Sequence, residues 1–346
     1  MFNFILVLLI LFVVARVFGA LAVRVKAPSV VGEIIAGLMV APCVSLFPLD
    51  IAAQTAFSST MLVFGTAFLF VAGLELNLSH LRRNFRAATQ IGLAGLVVPA
   101  LAGTCAVFFA SEGTISRLRG ADDVADWRLA AIFATVLSIS AVPVIAKTLS
   151  DLGLLGSRVG ALTISAAVFD DLIGWMVITF VIGSSSSWTA LLLGAVAIGV
   201  LVKEGAPTID VKASRAIWVV RSIFAPVYFA SLALKVDFIA HFDLELVAFV
   251  LALGIASKFF ACSLAARFSG IESREAWSIG AAMSSRGAMG LVFATAAREA
   301  RVISAELYVA FVLLAIISSL LSGPAIRRLM RSSGAPEKGF EKWQTD

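Results

Sequence analysis

Charge is scarce in this sequence. Asp, Glu, Lys and Arg make up 14% of the 346 residues, against roughly a quarter in soluble domains. With 60% hydrophobic residues and a mean hydropathy of +1.00, most of the chain reads as having lipid for its solvent. Histidine is nearly missing: the 2 present, His80 and His241, lie at loop edges. No Gly-rich phosphate loop occurs, so no enzyme motif is legible and no cofactor is implied. The 3 cysteines, Cys43, Cys105 and Cys262, sit within or beside apolar stretches. No metal-ligand spacing links them, which leaves them as small core residues. Alternating strands of about ten residues are absent, which argues against an outer-membrane barrel. The net charge of +5 would suit nucleic acid, but most Lys and Arg stand in short loops or at the ends of apolar blocks. Membrane topology puts them there, and no nucleic-acid partner is expected.

What is abundant is apolar blocks of about 20 residues, the length of a membrane-crossing helix. Eleven spans are expected, at about 2–22, 29–47, 57–76, 87–110, 128–149, 158–183, 188–202, 216–234, 244–267, 276–297 and 304–325. Ala20-Leu21-Ala22 resembles a signal cleavage site. Residues 1–15 carry no Lys or Arg, however, so the first block is expected to be a permanent span. The seventh block is short, and the eighth, with Arg221 and Pro226, is a candidate for a break. Basic residues alternate by side. One side receives Arg16, Arg24 and Lys26, then Arg82, Arg83 and Arg86, then Lys147 and Arg158. Lys203, Lys212, Arg215 and Arg221 follow on that side, then Arg267 and Arg274, and finally the basic tail. The other side has only Arg117, Arg119, Arg128, Lys235, Arg298 and Arg301. This bias places the N-terminus outside and the C-terminus in the cytoplasm of a plasma (inner) membrane. Residues 1–333 would form the membrane domain and 334–346 a short cytoplasmic tail. The segment 111–127, with Asp122, Asp123 and Asp126, reads as a solvated loop.

Four charges fall deep inside apolar blocks: Asp170, Asp171, Lys258 and Arg286. On insertion scales each costs roughly 2.5–3.5 kcal/mol at the bilayer centre. Such residues face the bundle interior, pair, or line a wet cavity. One Asp with one Lys could be a packing device alone. Two adjacent carboxylates fit that reading badly. Neighbours on a helix point about 100° apart, so one lysine does not serve both, and the second carboxylate is left to bind a cation or a proton. Burial disfavours charge on such groups, which suits proton exchange. Helix breaks are expected nearby. Pro143 removes a helix hydrogen bond to residue 139, and Ser138 and Ser140 compete for backbone groups. In the tenth block Ser284-Ser285-Arg286-Gly287, then Gly290, mark a second break. Interrupted helices in both halves point to the ion site of a secondary transporter.

At these residues the chain resembles the second cation:proton antiporter family, the Kef-type and bacterial sodium/proton exchangers. Pro28-Ser29-Val30-Val31-Gly32-Glu33-Ile34-Ile35-Ala36-Gly37 is similar to that family's second-helix signature. Phe68-Leu69-Phe70-Val71-Ala72-Gly73-Leu74-Glu75-Leu76 is similar to its third-helix ending. Leu152-Gly153-Leu154-Leu155 followed by Phe169-Asp170-Asp171 resembles the run into its ion-binding helix, and Arg286-Gly287 its second broken helix. Ala288 stands where the family often has an acidic residue, and Pro143 where it has a small one. The resemblance implies an all-α inverted-repeat antiporter fold with two broken helices. Its core would be about 87–183 and 244–325, and its scaffold about 1–76 and 188–234. It further implies that Asp171 carries the monovalent cation or the proton and that Asp170 pairs with Lys258. Ser138, Ser140, Pro143, Ser285 and Arg286 would support the breaks. Two aspartates in a row favour Na⁺ or Li⁺. A K⁺/H⁺ exchanger, a channel-like or sodium-coupled carrier and a non-transporting, regulatory relative are the alternatives. Such proteins commonly have about thirteen spans. The shortfall at about 184–215 falls in the part of the scaffold that dimerises, so a homodimer is left open. Lipid, a monovalent cation and the proton are the partners implied.

Overall fold

The computed structural model describes residues 2–25, 27–44, 50–75, 85–140, 142–155, 157–182, 194–195, 198–199, 201–203, 215–234 and 238–331. Helices dominate, and the one β-type pairing among these residues is an isolated bridge between Arg119 and Ile303. In chain order the helices are α1 (Phe2–Arg24), α2 (Ser29–Val44), α3 (Ile51–Glu75) and α4 (Phe85–Phe108). Next come α5 (Glu112–Leu118), α6 (Asp126–Ser138), α7 (Val142–Asp151) and α8 (Arg158–Ile182). The rest are α9 (Arg215–Ala233), α10 (Leu244–Phe268), α11 (Ser273–Met283), α12 (Ala288–Glu299) and α13 (Ala305–Arg331). Six of them, α1, α3, α4, α9, α10 and α13, are long and apolar enough to cross a membrane.

Each expected span except the seventh meets a helix, or an interrupted pair of helices, at its own position. The seventh, about 188–202, falls mostly outside the described residues, as does the tail beyond Arg331. Four expectations are corrected. The third span starts earlier, at Ile51, because Asp50 caps it: Ala53 N donates to Asp50 Oδ1 at 2.7 Å, one of the end amides that a helix cannot satisfy itself. The segment 111–127 is more than a loop, since it holds α5 and reaches across to the strand-like residue Ile303. The eighth span does not break. It takes a π-turn over Val220–Phe224 ahead of Pro226, a residue without the N–H that a regular α-turn would use there. Gly290 lies inside α12 and is not part of the second break.

The chain folds as two compact units, Met1–Asn77 with Ile182–His241, and Leu78–Val181 with Phe242–Asp346. In the first unit α1 and α2 pack together, and both meet α9. On α1 the buried positions Val7, Leu11, Ala15 and Ala22 share one stripe, while Ile5, Leu9, Val13, Val17 and Leu21 are exposed. A helical repeat with apolar residues on both faces is what a lipid-facing helix needs. Gly37 of α2 lies so close to α9 that a β-carbon there would stand 2.0 Å from the Ala230 carbonyl oxygen. Small residues allow such backbone approach between membrane helices.

In the second unit α4 packs against α6 and α10, α10 against α11 and α13, and α12 against α6 and α13. A core of Ile91, Ile145, Leu149, Leu162, Ala166, Cys262, Ile279 and Met283, among others, lies at the level of the interrupted helices. The segments before α6 and after α12 are tied together by the backbone. Gly120 N donates to Val302 O at 3.1 Å, and Ser304 N donates to Leu118 O at 2.9 Å. That join links the start of α6 to the end of α12, the distal halves of the two broken helices.

Candidate ion-exchange site

Both breaks fall where the sequence places them. The first helix stops at Ser138 and resumes at Val142. Pro143 is then the second residue of α7, where a missing N–H leaves no bond unmade. The second helix stops at Met283 and resumes at Ala288, with Ser284 to Gly287 between. Each stop leaves end carbonyls without helical donors, and their aligned dipoles carry roughly half a negative charge. Inside a low-dielectric bundle these oxygens need donors, preferably cations.

Two cations provide them at the first break. Arg286 is fully enclosed, with 2% of its surface exposed. Its Nη1 donates to the carbonyls of Val136 at 3.1 Å, Ile139 at 3.2 Å and Leu137, and its Nη2 donates to Gly254 O of α10 at 2.7 Å. Lys258 Nζ takes the remaining carbonyl, that of Ser138. Arg286 is itself fixed by the last helix. Its N–H donates to Ser318 Oγ at 3.0 Å, and its carbonyl accepts from Ser319 Oγ.

Asp170 sits mid-way along α8, and both it and Lys258 are 0% exposed. Lys258 Nζ forms an ion pair with Asp170 Oδ2. Ser140 Oγ lies 3.0 Å from the same oxygen. The other oxygen, Oδ1, has no hydrogen-bond partner among the described residues, and neither does Arg286 Nε. Such a buried orphan acceptor is costly in a finished structure. The geometry thus brings together Asp170, Lys258, Ser138, Ser140 and Arg286. Asp171 follows on α8, but its side chain lies outside the described residues, as does that of Pro143. Ser285 stands apart from the pair: its hydroxyl donates to Ala282 O at 2.6 Å and closes its own half-helix. The Ser138 hydroxyl is turned away too, toward Ala134 O at 2.7 Å and Leu96 O at 2.9 Å.

Some contributors were not singled out from the sequence. Ser318 and Ser319 hold the second break, and the Met283 carbonyl receives the Ser140 hydroxyl at 3.1 Å. Gly95 of α4 also matters. A β-carbon there would come within 2.5 Å of Cys262 Sγ and 3.4 Å of Lys258 Cε, so the absence of a side chain makes room for the lysine. The adjacent serines in the last apolar block were a usable signal, whereas backbone carbonyls leave none. No group of three or more His, Cys, Asp or Glu side chains is clustered as in a metal centre among the described residues.

Comparison with known proteins bears on the chain as a whole. The family model described as sodium/hydrogen exchanger, transmembrane, matches residues 7–192 and 189–332. The Na(+)/H(+)-K(+) antiporter GerN of Bacillus cereus is 22% identical over 404 residues, covering 98% of this chain and 99% of GerN. Cation/H(+) antiporter 18 of Arabidopsis thaliana is 24% identical over 418 residues, covering 97% of this chain and 50% of its own length. The chain therefore spans about half the length of that plant relative. Among solved structures, the sodium proton antiporter MjNhaP1 of Methanocaldococcus jannaschii at pH 8 superposes with a TM-score of 0.65. It shares 12% identity, with 96% of this chain and 99% of that one covered. That likeness is one of fold.

Proposed function

The chain belongs to the transmembrane sodium/hydrogen exchanger family, and from that premise we propose that it exchanges a monovalent cation for protons across a membrane. It is a multi-pass membrane protein, in a family of ion transporters. The observation that carries the proposal is the fully buried Lys258–Asp170 pair set at the junction of two broken helices. A buried pair used for packing alone would leave no acceptor idle, yet Asp170 Oδ1 has no partner among the described residues.

In this reading Asp171 is the carboxylate that carries either a cation or a proton. Asp170 is held by Lys258 when no cation is bound. A cation arriving at the two aspartates competes with the lysine for Asp170, and a proton arriving at Asp171 competes with the cation. Each occupant neutralises the site, so each permits a conformational change that the bare charges resist. The moving core would be about 87–183 and 244–325, and the scaffold about 1–76 and 188–234, in a plasma (inner) membrane with the C-terminus in the cytoplasm. The adjacent aspartates favour Na⁺ or Li⁺. Relatives named for Na⁺ and for K⁺ make K⁺ the ion to test beside them.

The test is proton flux in everted vesicles with Na⁺, Li⁺ and K⁺ added in turn. The wild type is expected to respond to at least one, and Asp171→Asn to none while still being expressed. Near-normal flux in Asp171→Asn removes this assignment. A silent wild type would leave the non-transporting, regulatory reading in its place.

A further inference from the structure

α4 and α10 lie side by side, and each turns an apolar stripe outward. On α4 the exposed positions are Leu93, Val97 and Leu101, and on α10 they are Phe260, Leu264 and Phe268. Spacings of three and four residues keep each set on one face. The stripes finish together, because Ser269 Oγ donates to Gln90 Oε1 at 2.6 Å and so ties the end of α10 to the first turns of α4. Trp277 of α11 flanks them, its ring edge-on to Phe260 at 6.1 Å.

Both stripes end on a cation. Arg86, one turn before Gln90, and Arg267, two residues before Ser269, are exposed. Neither has a hydrogen bond or ion pair among the described residues, whereas Arg158, which opens α8, reaches Glu275 at 4.0 Å. No acid occurs in residues 86–95 or 259–271, and Glu272 is the first beyond the turn. A guanidinium carries five N–H donors and no acceptor, so two of them at the edge of an apolar face call for an anion.

We propose that this face seats one anionic phospholipid of the leaflet at that end. Its phosphate is held between Arg86 and Arg267, and an acyl chain lies along Phe260, Leu264 and Phe268. Charge complementarity selects the occupant. An apolar run that ends in two unpaired cations has the outline of a chain with an anion at its head. Arginine suits phosphate, because its planar fork gives two parallel N–H···O bonds. A zwitterionic lipid brings a further cation to the same spot, and free phosphate leaves the apolar stripe unused. Seating the lipid requires no transport.

The experiment titrates phosphatidylglycerol into the purified full-length chain in an uncharged detergent and reads the lipid-dependent rise in melting temperature, with lipid adducts counted by native mass spectrometry. Phosphatidylcholine and inorganic phosphate are the comparison arms. The wild type is expected to respond to phosphatidylglycerol and to neither of the others. Each arginine beside an anionic headgroup is worth about fivefold in affinity. Arg86→Gln and Arg267→Gln should therefore each move the midpoint about fivefold, and the double variant about 25-fold, while Arg86→Lys with Arg267→Lys keeps most of the response. Arg328→Gln, at another exposed arginine, should leave the midpoint unchanged. A double glutamine variant that responds like the wild type overturns the proposal, and so does an equal shift in Arg328→Gln. An equal response to phosphatidylcholine would make the face an apolar seat without headgroup choice, and a response reproduced by inorganic phosphate would make it a free-anion site; either overturns it. Phe268→Cys that cross-links to a second copy in membranes, with Cys43 and Cys105 replaced by serine, would give the face to a protein partner and overturn it too.

Discussion

Removing Lys258 tests the centre of this structure more sharply than removing any other side chain. The ammonium meets two groups, Asp170 Oδ2 and the Ser138 carbonyl, and both partners of the ion pair are 0% exposed. Lys258→Ala strips the carboxylate of its counter-charge and leaves Ser140 as its one hydrogen-bond partner among the described residues. Breaking one member of a buried pair typically costs about 3–5 kcal/mol, because the survivor is a charge without compensation. The Ser138 carbonyl loses a donor as well, a smaller penalty of about 1–3 kcal/mol. Its neighbours Val136, Leu137 and Ile139 keep Arg286, so the break itself should survive. Adding Asp170→Asn to Lys258→Ala removes the stranded charge while keeping an oxygen for Ser140. The double mutant should regain most of the first penalty and little of the second. The assay is thermal or denaturant melting of the four proteins of the cycle in one detergent, with the coupling taken as the non-additive part. If the double mutant is no more stable than Lys258→Ala, the two residues do not stabilise each other and the pairing argument fails.

Protons and cations that share one carboxylate must compete for it. Apparent cation affinity in liposomes is therefore expected to strengthen as pH rises and then to level off; affinity that stays flat with pH would mean the two do not share this site. Gly95→Ala should destabilise the protein by about 1–3 kcal/mol through overpacking against Cys262 Sγ. Cys262→Ala, which deletes that sulfur, should relieve much of the loss in the double mutant, and melting of the two variants side by side checks it.

The sequence announces its own anomalies better than its own contacts. A charge in an apolar block is visible without a structure because lipid makes it expensive, and this exposes Asp170, Asp171, Lys258 and Arg286 together. The breaks are visible for the same local reason: Pro143 cannot continue a helix, and Ser284 to Gly287 interrupt an apolar run. What Arg286 does is not local. Its partners are carbonyls of Val136, Leu137, Ile139 and Gly254, and every residue has a carbonyl, so side-chain pattern gives no hint of them. The join of Arg119 to Ile303 was invisible on the same ground, and the acidic run at 122–126 read as loop because strand-like pairing of single residues has no period. The third helix shows a different failure. Its first turns, with Gln54, Thr55 and Ser58, are too polar for an apolar-block reading. Asp50 was nevertheless a legible capping residue that the hydropathy argument overrode.

The two buried cations divide the work in a way their chemistry explains. Arg286 touches backbone oxygen through both terminal nitrogens, and its own amide and carbonyl are held by Ser318 and Ser319. A planar fork with fixed donors suits several carbonyls at once and does not give up its charge. It therefore compensates the end of α6 permanently, whatever occupies the carboxylates. Lys258 is a point charge on a flexible stem, with a single carbonyl and a single carboxylate. It can release one partner and keep the other. An end of α6 that depended on Lys258 alone would be left with unsatisfied carbonyls whenever the lysine moved away from it. With Arg286 in place, the carbonyls of Val136, Leu137 and Ile139 are served without the lysine. A Lys at 286 would make fewer of these bonds, and the break would then lean on Lys258. The arrangement separates a cation whose side chain is bound to backbone oxygens from one that also holds the site carboxylate, a division that the proposed exchange would use.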